Sequence, residues 1–219
     1  MKLPDQVGIM VLPNAVLFPG TLMPLHIFEP RYRQMLEDSV TGTRMFAVGL
    51  ARGKAGPCDV VGVGLVRTCL KQSDGTSNLV LQGLERVRVV GFEWEHPEFG
   101  YPVADIEPLA STGSEEAVPA RQPVLRMVRK LARARERLGV ELPKAVVDSL
   151  AALESADLFA DVVSYTLVED FKEKQSLLET LDVNARLAKL QDLLQRQLAQ
   201  LELWKTLQGK LPNKNVGHN

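Results

Sequence analysis

At 219 residues, with 45% apolar and 24% charged side chains, the chain has the length and composition of one large or two small globular domains. Its formal net charge of −1 supplies no global field toward nucleic acid or anionic lipid. Its two cysteines, Cys58 and Cys69, are too few for a disulfide framework or, unaided, for a four-ligand zinc site, so reduced thiols are expected.

The N-terminus, MKLPDQVGIMVLP, lacks the apolar core and cleavage site of a signal peptide. No run of about 18 uninterrupted apolar residues occurs, so no membrane span is expected and a cytoplasmic location follows. Residues 9–12 form a short apolar run suited to a buried strand, and 22–28 form a second. Pro13, Pro19, Pro24 and Pro30 punctuate this stretch, and each must sit at an edge, a turn or a helix start. Pro19-Gly20 predicts a tight turn with Gly20 at positive φ. Pro30 opens a helix over about 31–40 that buries Tyr32, Met35 and Leu36. Strands follow at 45–51 and 59–72, the second with Gly62 and Gly64 marking a bulge or a close backbone contact. Residues 73–76, Ser-Asp-Gly-Thr, turn the chain into one or two strands over 78–95, bent near Gly83 and Gly91. The last strand spans 101–107. About six strands joined mostly by hairpins predict a coiled antiparallel sheet approaching a barrel.

Composition shifts at Pro108. The stretch 108–119, without periodicity, is expected to link a β-rich lobe (1–107) to a helical bundle (120–208), with a flexible tail over 209–219. Pro123 and Pro143 are candidate helix starts, Asp157 a candidate N-cap, and Asp170 with Glu173 has capping-box spacing. The final helix, 183 to about 208, carries Leu187, Leu190, Leu194, Leu198 and Leu201 at three-and-four spacing. The order of elements gives α+β. Charge is even across the boundary: ten Lys+Arg against twelve Asp+Glu before it, sixteen against fifteen after.

Three stretches carry a family resemblance: LPNAVLFPGTLMPLHIFEPRYRQML (12–36), VVGVGLVRTCLKQSDGTSNLVLQGLERVRVVGF (60–92) and FKEKQSLLETLDVNARLAKLQDLLQRQL (171–198). They resemble, in order, the N-terminal domain of the Lon protease family, the LON substrate-binding domain. The resemblance implies that the β-lobe is that family's pseudo-barrel, that the domain captures polypeptide and supports oligomer assembly, and that it is not itself catalytic. The ATPase and Ser-Lys proteolytic modules of full-length members have no counterpart in these residues, so a stand-alone member is expected.

The residues agree with that expectation. The nearest approach to a phosphate loop, Gly49 to Ala55, has its glycines one residue too close and no hydroxyl after Lys54. No Gly-x-Ser-x-Gly elbow occurs, and His26, His96 and His218 are scattered. His26 is more simply a hydrogen-bonded structural histidine than a catalyst, and Glu29 and Arg31 flank a helix start in a capping or ion-pair role. No catalytic residue, cofactor or metal is expected.

Two features suit binding. Phe92, Trp94, Phe99 and Tyr101 place four of the chain's twelve aromatics within ten residues, around Glu93, Glu95 and Glu98. That cluster is either core or an apolar patch for extended or unfolded polypeptide. The helix 121–137 holds seven basic residues and one acid, with Arg126, Arg129, Lys130, Arg133 and Arg137 along one face. It is either a solvated face or a dock for an acidic surface; with no interleaved aromatic, nucleic acid is not expected. The expected function is a non-catalytic, polypeptide-binding recognition or adaptor module in protein quality control. The alternative is a scaffold with one dedicated partner, or a homo-oligomer, using the basic helix or the long terminal helix.

Overall fold

The computed structural model describes residues 2–139 and 142–208. In order the elements are β1 (Gln6–Leu12), β2 (Leu22–Ile27), α1 (Pro30–Thr41), β3 (Met45–Leu50), a 3-10 turn (Gly53–Ala55), β4 (Val60–Lys71), β5 (Ser77–Glu93) and β6 (Val103–Leu109), followed by five helices. These are α2 (Val118–Glu136), α3 (Lys144–Ala152), α4 (Ala156–Leu167), α5 (Phe171–Glu179) and α6 (Val183–Gln208). The tail expected over 209–219, with Gly209 and Pro212 ending the last helix, lies outside the described residues.

The six strands form one sheet in the order β2-β5-β4-β3-β1-β6, and β5 also pairs with β6. The sheet therefore curls until its flanks meet. One expectation fails: the sheet is mixed, because β1 and β3 run parallel, Ile9 opposite Ala47 and Leu12 opposite Leu50. The chain between them passes through β2 and α1, the kind of long crossover that parallel neighbours need. A single strand, β5, serves three partners: β2 and β4 along its first half, β4 and β6 along its second. Extra residues at Leu84 and Val90 bend it enough to do so, and Arg67 is the matching irregularity on β4.

The bridge between β1 and β2 lies flat on this sheet. Gly62 and Gly83 make room for it, since a β-carbon at either would overlap the carbonyl of Leu17 or Phe18. Phe18 to Thr21 closes the predicted turn, with Gly20 at φ 73° and Thr21 N donating to Phe18 O at 3.3 Å. The bridge turns Leu17 toward Tyr32, Met35 and Phe46, whereas Val16 and Phe18 join the helical core around Val124, Val128, Phe159 and Leu190. The β1–β2 bridge and the helices thus share one core.

Helix starts differ in detail from the sequence pattern. Pro119, not Pro123, lies in the first turn of α2, and Pro123 is inside the helix, where it withholds one hydrogen bond. Ser155 caps α4, its Oγ accepting from Leu158 N at 3.2 Å, which leaves Asp157 free for another role. Asp170 caps α5 as its spacing predicts, accepting from Glu173 N at 2.9 Å.

Candidate functional site

Three strands build a shallow hollow of about 580 Å³ at the outer end of the sheet, lined by Pro24, Leu25, His26, Thr68, Cys69, Leu70, Asn78, Leu79 and Val80. Antiparallel register explains its floor. His26 faces Asn78, which faces Leu70, and Pro24 faces Val80, which faces Thr68, giving two cross-strand rows on one side. Strand β2 alternates so that Leu22, Pro24 and His26 are exposed while Met23 and Ile27 are buried. Leu70 in its lining is 65% exposed, and at the two ends of β2 Leu22 and Phe28 are 56% and 61% exposed. Two contacts fix the polar part, His26 Nδ1 to Asn78 Oδ1 at 2.8 Å and the His26 ring stacked on Phe28 at 6.0 Å. Strand β2 is also a sheet edge, since β5 is its sheet neighbour. The Tyr165 hydroxyl donates to Leu22 O at 3.1 Å from outside the sheet. Pro24, with no N–H, must face the same free edge, and His26 follows by the two-residue period.

The aromatic cluster divides in two. Phe92 and Trp94 meet edge to face at 5.0 Å over the 3-10 turn. Phe92 covers Gly56, and Trp94 Nε1 donates to Lys54 O at 3.2 Å. Phe99 stacks between His96 (4.7 Å) and Tyr101 (5.5 Å). Of the four, Tyr101 is buried, Phe92 and Phe99 are half-buried, and Trp94 is exposed. Burial, reinforced by the Asp38 carboxylate, pushes the Tyr101 hydroxyl up to about 12. Phe92 and Trp94 thus lie at the far end of β5 from the hollow, whereas Tyr101 packs against Gly8 and Asp38.

On α2, Val124, Leu125, Val128 and Leu131 are buried, and Arg126, Arg129, Lys130, Arg133 and Arg137 are all exposed. At 100° per residue these five fall within one arc opposite the buried face. Arg121 instead points inward, donating to Ala151 O at 2.5 Å with its guanidinium 5.0 Å from the Phe159 ring. Arg135 reaches sideways to Glu169 at 2.7 Å. Helix α6 buries Leu187, Leu190 and Leu194 and half-buries Leu198 and Leu201, leaving Leu203, Trp204 and Leu207 exposed.

A buried ionic cluster escapes the sequence pattern altogether. Arg86 from β5 and Arg186 from α6, 3% and 0% exposed at their side chains, converge on Asp161 of α4, 1% exposed. Arg186 Nη1 also meets Asp157 at 2.5 Å, its Nε donates to Thr180 O at 2.8 Å, and Ser111 Oγ receives its Nη2 at 3.0 Å. Arg86 donates to Leu178 O at 3.0 Å. The cluster ties the sheet to three helical segments. Burial pushes the Asp161 carboxyl up against the pull of the two guanidiniums. Separations of 75 and 25 residues along the chain hide it from any local motif.

The flanks of α1 hold an ion pair at the helix start. Glu29 pairs with Arg31 at 2.8 Å and makes no side-chain cap. Among the described residues no three His, Cys, Asp or Glu side chains gather as a metal site, and no helix is long and apolar enough to cross a membrane.

Comparison with known proteins places these features in a family. The model of the ATP-dependent protease La (LON) substrate-binding domain matches residues 6–196. Lon protease of Desulfosudis oleivorans is 28% identical over 218 residues, covering 96% of this chain and 26% of the relative. Lon protease of Paraburkholderia phytofirmans is 32% identical over 215 residues, covering 92% of this chain and 26% of the relative. The chain thus spans about a quarter of the length of these relatives. Among solved structures, the N-terminal domain of a Mycobacterium avium complex Lon protease aligns with a TM-score of 0.70 at 16% identity, covering 87% of this chain and 98% of that one. A Lon N-terminal domain protein from Xanthomonas campestris aligns at 0.62 and 21% identity, covering 84% and 96%. At these identities the structures speak to the fold.

Proposed function

The chain belongs to the LON substrate-binding domain family, and on that premise we propose that it binds segments of polypeptide without acting on them chemically, as a recognition or adaptor module. The observation that supports this most is the hollow on β2, β4 and β5, with the exposed apolar side chains in and beside it and its free strand edge. Leu22, Phe28 and Leu70 together expose a patch of the kind that folded surfaces keep for partners. A segment laid beside β2 would find backbone groups of Pro24 and His26 on that edge, but Pro24 interrupts the ladder. Affinity therefore rests on apolar contact and is tolerant of sequence, as binding of varied unfolded chains requires.

Trp94 offers a second, smaller apolar contact at the other end of β5. The half-buried Phe92, edge to face with it at 5.0 Å, supports it from within.

The test is a fluorescence anisotropy titration of a labelled, reduced and carboxymethylated protein into the purified chain without nucleotide. Saturable binding is expected, weakened about tenfold by Phe28→Ser with Leu70→Ser, which corresponds to about 1.4 kcal/mol. Trp94→Ala is expected to have a smaller effect. A flat titration, or binding indifferent to the Phe28 and Leu70 substitutions, would overturn the reading.

A further inference from the structure

We propose that the basic stripe of α2, with the groove it shares with α3, docks an acidic helical segment of a partner protein. The stripe runs from Arg126 to Arg137, about 17 Å at 1.5 Å per residue. Within it, Arg126, Arg129, Lys130, Arg133 and Arg137 stand at three-and-four spacing, where like charges repel, so the arrangement does nothing for the helix itself. No carboxylate of a described residue lies within ion-pair distance of the five. Arg135, one position off the stripe, does find Glu169 at 2.7 Å. The helix therefore pairs the cation that it turns toward its neighbours and leaves the outward row uncompensated.

Beside the stripe, α2 and α3 enclose a groove of about 430 Å³ whose apolar lining is Ala132, Leu142, Pro143 and Val147 and whose basic lining is Arg129, Arg133 and Lys144. Glu136 and Asp148 complete it. An apolar floor under a basic rim suits an amphipathic acidic helix: carboxylates one turn apart meet the stripe, and an adjacent Leu or Phe enters the groove. Nucleic acid fits less well. No aromatic side chain stands along the stripe to stack a base. A partner helix of about 12 residues matches the length of the stripe. This surface lies on the helical lobe, apart from the hollow, and stands or falls independently of it.

The probe is a labelled synthetic helix with Glu at three-and-four spacing and Leu one position further round, titrated into the full chain. Its Lys-for-Glu counterpart and a short DNA duplex serve as comparators. The acidic helix is expected to bind, to weaken as salt rises from about 0.05 to 0.5 M, and to lose about tenfold in affinity with Arg126→Glu, Arg129→Glu and Arg133→Glu together. These side chains point away from the core, so an unchanged circular dichroism spectrum and melting temperature will confirm the fold. Val147→Asp, which alters the groove and not the stripe, should weaken the acidic helix as well. Equal binding of the Lys counterpart, or an unaltered affinity in the triple variant, overturns the proposal. Tighter binding of DNA through the same arginines, or self-association of the chain that the triple variant abolishes, also overturns it by assigning the stripe to a different occupant.

Discussion

Replacing Arg186 by Met asks how much the buried ionic cluster contributes to joining the sheet to the helices. Met fills much of the same space but removes the guanidinium that meets Asp157 at 2.5 Å, Asp161 at 2.9 Å and the Thr180 carbonyl at 2.8 Å. Asp161, 1% exposed, is left with Arg86 as its counter-charge, and two backbone carbonyls lose a donor. Taking one partner from a buried pair costs about 3–5 kcal/mol. Against the 5–15 kcal/mol typical of a folded domain, that is a large share. With a urea m-value of about 2–3 kcal/mol/M, the midpoint should fall by about 1–2.5 M. The pH dependence has a definite sign. Burial already raises the Asp161 carboxyl, and losing a guanidinium raises it further. The folded variant then binds a proton more readily than the unfolded chain, so its stability falls as pH rises from the unfolded value of about 4 through the raised folded one. The deficit relative to the parent chain should therefore be larger at pH 8 than at pH 5. Adding Asp161→Leu to Arg186→Met removes the stranded charge, leaves Arg86 with Asp157 and Ser111, and should recover at least half of the loss. A deficit below about 1 kcal/mol, a deficit that grows on acidification, or strictly additive substitutions would refute the reasoning.

Three further outcomes are expected. Ser155→Ala removes the side-chain acceptor at the start of α4 and should cost about 1 kcal/mol in urea unfolding, whereas Asp157→Ala should act through Arg186 and show coupling to Arg186→Met. All three tyrosines, Tyr32, Tyr101 and Tyr165, are raised by burial, so absorbance at alkaline pH should show no phenol ionising at the usual value near 10. The component near 12 should vanish in Tyr101→Phe, along with Tyr101's share of the stability that the parent loses as pH rises from about 10 toward 12. Cys69 is exposed in the hollow, while burial pushes the Cys58 thiol up, so a maleimide should modify Cys69 first. A bulky adduct at Cys69 should weaken binding of unfolded protein and leave binding of the acidic helix unchanged.

What the sequence made legible was local. Pro19-Gly20, the Asp-Gly turn, Asp170 and the buried face of α1 are each decided within a few residues, and each appears where its spacing predicts. The parallel pairing of β1 with β3 was not legible, because an apolar strand reads the same in either direction and only the path through α1 decides. Asp157 shows how a correct local rule can be outbid. Its position suits a cap, but Ser155 reaches Leu158 N, and Asp157 is drawn to an arginine 29 residues away.

The two candidate binding faces differ in legibility for the same reason. A helix presents a stripe whose exposure follows from its own period once the buried side is known, so Arg126 to Arg137 could be placed outward from sequence alone. A strand's period of two separates one face from the other without saying which face another element will cover. Phe92 and Trp94 do share a face as their alternation requires, yet the 3-10 turn at Gly53–Ala55 reaches across to Phe92 and takes the Trp94 hydrogen bond. The hollow has the converse history. Leu25, Leu70 and Val80 look like ordinary strand residues, and only the register of the β4–β5 hairpin against the distant β2 brings them together at an edge that Pro24 keeps from extending. Binding surfaces assembled by sheet register are thus those a single sequence conceals best, and mutations in them should be chosen by cross-strand row, not by aromatic content.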